Sequence, residues 1–255
     1  MITPRENILR TIYWEKAEYV PLSWKAVRYV GGMTQALECP AQTGYDVWGC
    51  HWTKDNLGAM NTPGKYLFDD ISDWEKYVKK PDFSNMDFKA LMEKEMAVIP
   101  PLDRNEHVVA HIDAGGVFTR LVAFMGHENA LIALIEDPEA CLSLFEVITE
   151  ARLEYINKMI DAWGLDIYVA GDDVASMSSL FISPEIYRKM IKPFHKRIGE
   201  ELEKRGVIYD VHCCGRTEAL IDDYIDNGAK MWQSAEPGND LVGILNKRKI
   251  TVDGG

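Results

Sequence analysis

No run in this sequence approaches the roughly 18 consecutive apolar residues of a membrane-spanning helix. The opening Met-Ile-Thr-Pro-Arg-Glu-Asn carries no apolar segment of the secretory-leader kind, and cysteine is scarce. Cys39, Cys50, Cys141, Cys213 and Cys214 are five in 255 residues, too few for a disulfide framework, so a reduced, cytoplasmic setting is expected. A bridge between the adjacent Cys213 and Cys214 would strain its peptide and is disfavoured there. Positive charge is in deficit: 28 Lys+Arg face 40 Asp+Glu, a net charge of −12, which excludes general affinity for nucleic acid or anionic membrane. With 19 Gly and 11 Pro there is no collagen-like or low-complexity bias. Repeats and linkers are absent as well, so residues 1–255 read as a single domain. What is present is an apolar fraction of 47%, ample for a buried core.

Helix signals are strong. Thr3-Pro4-Arg5-Glu6 is a capping box with proline at the first helical position. Asp137-Pro138-Glu139 opens a second helix that Gly164 closes, and Ser183-Pro184-Glu185 opens a third in which Pro193 predicts a kink. Thr217 to Asn227 and Leu241 to Lys247 read as two more. Between them lie short strand-like runs at Tyr19–Lys25, His107–Gly115, Asp166–Asp173, Val207–Cys214, Lys230–Glu236 and Lys249–Gly255. Strict helix–strand alternation in the second half predicts βαβ units and a mainly parallel sheet.

Ionisable residues collect at the C-terminal end of successive runs: Asp113, then Asp172 and Asp173, then His212 and Cys214, then Gln233 and Glu236, then Asp253. A barrel of the (β/α)8 type builds its site from the loops at that end, whereas an open doubly wound sheet concentrates ligands at one switch point. The expected fold is therefore an α/β TIM barrel.

His212-Cys213-Cys214-Gly215 is the sharpest local feature. In an extended strand His212 and Cys214 share a face, and an imidazole with a thiolate supplies two ligands to zinc. Of the adjacent carboxylates Asp172 and Asp173, opposite side-chain directions allow only one to enter the mouth, as substrate contact, metal ligand or proton donor; capping of the next helix is the alternative. Asp113-Ala-Gly-Gly116 either lets a ligand approach the backbone or makes a tight turn. The Tyr45-Asp46-Val-Trp48-Gly-Cys-His51-Trp52 tract lines a pocket or forms a mixed core strand and loop. His111 and His127 read as structural histidines, and His195, beside Lys192, Lys196 and Arg197, as part of a solvated face.

Together these pieces resemble the uroporphyrinogen decarboxylase-like superfamily, which includes zinc-dependent corrinoid methyltransferases. The carriers are Thr3-Pro-Arg-Glu6, Tyr19-Val-Pro-Leu22, Thr43-Gly-Tyr-Asp-Val-Trp-Gly49, Gly171-Asp-Asp173, Ser183-Pro-Glu185 with Lys192-Pro193, His212-Cys-Cys-Gly215 and Val252-Asp-Gly-Gly255, spread over almost the whole chain. The resemblance implies an eight-stranded barrel, of which this chain is expected to lack the last βα unit, ending near a seventh strand. The arginine-rich loop by which the decarboxylases grip propionates is missing; that region reads Trp24-Lys-Ala-Val-Arg28-Tyr-Val-Gly-Gly32.

On that resemblance the expected activity is methyl transfer between a methyl-corrinoid (cobalamin) on a partner protein and an acceptor such as a zinc-activated thiol. Asp173, His212 and Cys214 are the expected catalytic residues. His212 and Cys214 are the expected metal ligands, with a third Cys implied beyond position 255 and Glu236 or Asp173 as candidates within the chain. Asp46, Asp113, Asp172, Gln233 and Glu236 are expected to contact substrate. The implied partners are the corrinoid protein and a small methyl donor or acceptor, with a homodimer also admitted. Two other readings stand beside this one: a tetrapyrrole decarboxylase in which Asp46 or Asp173 stabilises a protonated pyrrole, and a degenerate barrel that binds a corrinoid or porphyrin without turnover.

Overall fold

A computed structural model describes residues 2–56 and 58–254, without the side chains of residues 35–37. Its strands in chain order are β1 (Val27–Tyr29), β2 (Gly44–Tyr45), β3 (His51–Lys54), β4 (Ala59–Asn61), β5 (Val108–Asp113), β6 (Ile167–Gly171), β7 (Ile208–His212), β8 (Met231–Gln233) and β9 (Thr251–Asp253). Six of them form one sheet in the order β1-β5-β6-β7-β8-β9, every neighbouring pair parallel, curled into part of a (β/α) barrel. The expected barrel class is therefore present, with six parallel strands among the described residues rather than seven. The first strand also lies later than expected. Residues 23–26 of the predicted Tyr19–Lys25 run and its neighbour wind into a helical turn, and pairing with β5 begins only at Val27. The last predicted run shortens to Thr251–Asp253, and Gly255 lies outside the described residues.

Strand alternation sorts the core into two layers. Val108, Ala110, Ile167, Val169, Ile208 and Met231 point into the barrel, where Ile8 and Ile12 of the Pro4–Ile12 helix meet them and close the bottom. That helix starts as its sequence predicts, with Thr3 Oγ1 accepting the Glu6 N–H at 3.1 Å. Arg5 fastens it to the sheet by donating to both oxygens of Asp166, at 2.7 and 2.6 Å. The opposite strand faces carry Val109, Tyr168, Tyr209, Val211 and Trp232 into the larger core beneath the surrounding helices.

Over the C-terminal end of β5 sits a separate antiparallel hairpin sheet, β2-β3-β4. It is the aromatic tract of the sequence, and it resolves as strand and loop with Trp48 and Cys50 buried against the core. The Pro138–Trp163 helix ends at Gly164 in a left-handed conformation, φ +59°. The predicted kink near Pro193 takes the form of a π-turn over Tyr187–Ile191, immediately before the Lys192–Lys204 helix. Among the described residues no single helix is long and apolar enough to cross a membrane.

Candidate functional site

Register places the first three candidate residues together. In the sheet ladder His212 ends β7 between Gly171 on β6 and Gln233 on β8. Gly171 brings no side chain to that rung, while Gln233 Oε1 lies 3.0 Å from His212 Nδ1. An amide oxygen can only accept, so Nδ1 carries the proton and Nε2 presents its lone pair. Two residues on, Cys214 Sγ stands 3.5 Å from that Nε2. Asp173, just past β6, binds the Cys214 N–H through Oδ1 at 2.8 Å. One ligand atom each from Asp173, His212 and Cys214 lies within 4.8 Å of the others.

Ser234, which follows Gln233, adopts φ +60°, an uncommon left-handed conformation for a residue with a side chain. It brings its Oγ to 3.8 Å from Cys214 Sγ. Burial pushes the Cys214 thiol up, and the Asp173 carboxylate pushes it further. Without a cation the sulfur therefore stays protonated. A nitrogen lone pair, a carboxylate and a thiol held close together, with the histidine tautomer fixed from behind, suit zinc. Glu236, the other candidate third ligand, instead accepts the Gly215 N–H at 3.2 Å, and its Oε2 is buried with no hydrogen-bond partner among the described residues. All five cysteines are free thiols. Cys213 faces the other way, fully buried, and accepts the Val174 N–H at 3.4 Å.

Asp173 also lines a cavity of about 330 Å³ between the end of β5 and the hairpin. Two arginines hold its charged wall. Arg120 rises from the Val117–Met125 helix and donates to Asp46 at 2.5 Å and to Glu38, with its guanidinium 5.6 Å from the Trp48 ring. Arg152, on the Pro138–Trp163 helix, pairs with Asp113, which also accepts from the Tyr168 hydroxyl. Burial alone would raise the Asp113 pKa, but Arg152 outweighs it and holds the carboxyl below the usual range. His111 is a satisfied structural histidine: it contacts Val30 O at 2.9 Å and Tyr155 OH at 3.0 Å, and burial pushes its pKa down.

Two expected substrate contacts are placed elsewhere. Asp46 is enclosed by its own loop, accepting from the Trp48 and Cys50 amides at 2.9 and 2.8 Å and from Trp52 Nε1 at 2.9 Å, besides Arg120. Asp172 caps the N-terminus of the Val117–Met125 helix, accepting from Phe118 N at 3.1 Å and Thr119 N at 2.7 Å. His195 is correspondingly not on a solvated face: it is 6% exposed, and its Nε2 lies 2.9 Å from Asp172. The glycines after Asp113 make room for these contacts, and Gly115 also lines the cavity. A Cβ on Gly115 would stand 1.9 Å from Arg152, and one on Gly116 2.1 Å from Asp172.

Sequence reasoning missed Glu38, Arg120, Arg152 and His195. Arg120 had a signal, a lone charge inside the apolar stretch Val-Phe-Thr-Arg-Leu-Val-Ala-Phe-Met, since a buried arginine requires buried carboxylates. Glu38 had none.

The sequence model of one family, described as uroporphyrinogen decarboxylase (URO-D), matches residues 64–241, more than two thirds of the chain. No curated protein matches. Among solved structures, a methyltransferase from Methanosarcina mazei shares the fold at a TM-score of 0.66 and 16% identity, over 92% of this chain and 77% of that one.

Proposed function

The chain belongs to the uroporphyrinogen decarboxylase (URO-D) family, and from that premise we propose that it is a methyltransferase moving a methyl group between a corrinoid on a partner protein and a small molecule. The observation that carries this reading is the convergence of Asp173, His212 and Cys214 to within 4.8 Å, with Asp173 also on the wall of the cavity. These three residues would hold zinc, with His212 oriented by Gln233. Zinc, when bound, makes a coordinated thiol a thiolate near neutral pH and so a nucleophile for a methyl group. The chain's own residues do the rest. Asp173 fixes the Cys214 backbone, the hairpin covers the cavity, and a corrinoid, too large for about 330 Å³, would lie across the opening on its carrier protein.

The decarboxylase reading is weaker here. A tetrapyrrole with several carboxylates needs uncommitted guanidiniums, and those of Arg120 and Arg152 are already engaged by Glu38, Asp46 and Asp113.

Elemental analysis of the protein after metal loading tests the proposal. About one equivalent of zinc is expected in the wild type and far less in His212→Ala, because a site filled by side-chain ligands titrates near stoichiometrically. Methyl transfer from methylcobalamin to a thiol should vanish in Cys214→Ser. A wild type that retains under about half an equivalent of zinc overturns the assignment.

A further inference from the structure

The charge balance around the cavity identifies a class of small molecule for it. Glu38, Asp113 and Asp173 line it, against Arg120 as the lone guanidinium among the lining residues. Arg120 is shared between Glu38 on the wall and Asp46 behind it, and Asp113 is paired with Arg152; neither Asp46 nor Arg152 lines the cavity. Among the groups on or directly behind the wall, four carboxylates and two guanidiniums leave a charge of −2; the exposed Lys54, whose charge reaches Cys39, stands on the hairpin outside the lining. Zinc with a Cys214 thiolate would reduce that to −1, so the sign persists. The other titratable groups on the wall add no positive charge. Burial keeps His111 neutral, and Tyr155 and Cys39 are held protonated, both by burial first. The remaining wall is apolar or aromatic: Trp52, Met60, Ile112 and Ala123.

An anion entering this space is repelled at short range in a medium of reduced dielectric, while a cation is attracted. A hydrated metal ion gains little from the apolar wall. An alkylated ammonium ion gains from both, placing its methyl groups against Trp52 and Met60 and its charge near Glu38 and Asp173. We propose that the small molecule taken by this cavity is an organic ammonium ion. The inference deepens the proposed function, since it names the substrate class of the same site, but it is tested separately.

Calorimetric titration of the metal-free protein with three matched probes decides it. Choline carries the charge; 3,3-dimethylbutan-1-ol is its neutral isostere; 3,3-dimethylbutanoate is an anion of the same shape. Choline should bind about tenfold or more tighter than the alcohol, as expected for a desolvated cation beside aromatic rings and carboxylates, and the butanoate should give no measurable heat. Met60 is 56% exposed on β4, so Met60→Lys should fold normally while placing a cation at the wall. That variant should weaken choline about tenfold and raise the affinity for butanoate. Equal or tighter binding of the alcohol, tightest binding of the butanoate, or no choline binding at all overturns the inference. Zinc content and methyl transfer are read independently, so an absent metal site with choline preferred would refute the proposed function alone.

Discussion

At the scale of single residues, one contact expensive to break is Arg152 with Asp113. Both side chains are buried, at 7% and 3% exposure, so removing one charge strands the other. Asp113→Asn should cost about 3–5 kcal/mol in urea unfolding at neutral pH. The sign of the pH dependence follows from the depressed carboxyl. Its contribution is fully present above the ordinary value of 3.8 and is lost as pH falls through the lower folded value. Wild type should therefore lose part of its stability on acidification below about pH 4, and the Asn variant should lose less over the same window. Gln233→Ala should weaken zinc binding about 10- to 100-fold in a competitive chelator titration, with the three proposed ligands intact. The pairing of His212 with Cys214 was legible because a strand's alternation needs no tertiary knowledge. The roles of Asp46, Asp172 and His195 were not, since each depends on what lies across the fold: a hairpin amide, a helix N-terminus more than 50 residues away, and a buried carboxylate.

At the scale of elements, the Pro4–Ile12 helix acts as the floor of the barrel. Ile12 is 2% exposed among the inward strand residues, and Thr251 Oγ1 reaches the helix end at Thr11 O, 3.3 Å away. Ile12→Ala should destabilise the protein by about 2–5 kcal/mol in denaturant unfolding, the ordinary cost of a large-to-small core change. Helix starts were legible wherever a Ser, Thr or Asp preceded proline, because capping is local chemistry. The first strand was not. Tyr19 to Lys25 has strand composition, yet in the fold Pro21 and Leu22 lead into a helical turn, and the pairing partner on β5 decides where extension begins. The hairpin was equally unreadable, since its period is shared between two short strands and Asp46 bonds that no pattern predicts.

At the scale of the whole molecule, the alternating second half of the chain made the parallel sheet legible, and the six strand-like runs equal its strands in number; the seventh came from the resemblance alone. The proposed metal site joins the ends of β6 and β7, so an ion there adds a link between two βα loops already held together by hydrogen bonds such as Arg216 N to Ser176 O at 2.8 Å. Saturating zinc, at about 100 times its dissociation constant, should raise the melting temperature by about 5–10 °C in wild type and leave His212→Ala unchanged. The register of β7 carries a further consequence. Ile208, Asp210 and His212 point inward, with Cys214 continuing their series beside His212, while Tyr209, Val211 and Cys213 point out. The strand thus has a reading frame of two: deleting a single residue within it would exchange the two sets, sending Val211 and Cys213 to the site and burying a histidine among the helices. Length changes in this strand should therefore be far less tolerated than point substitutions, however conservative the residue removed.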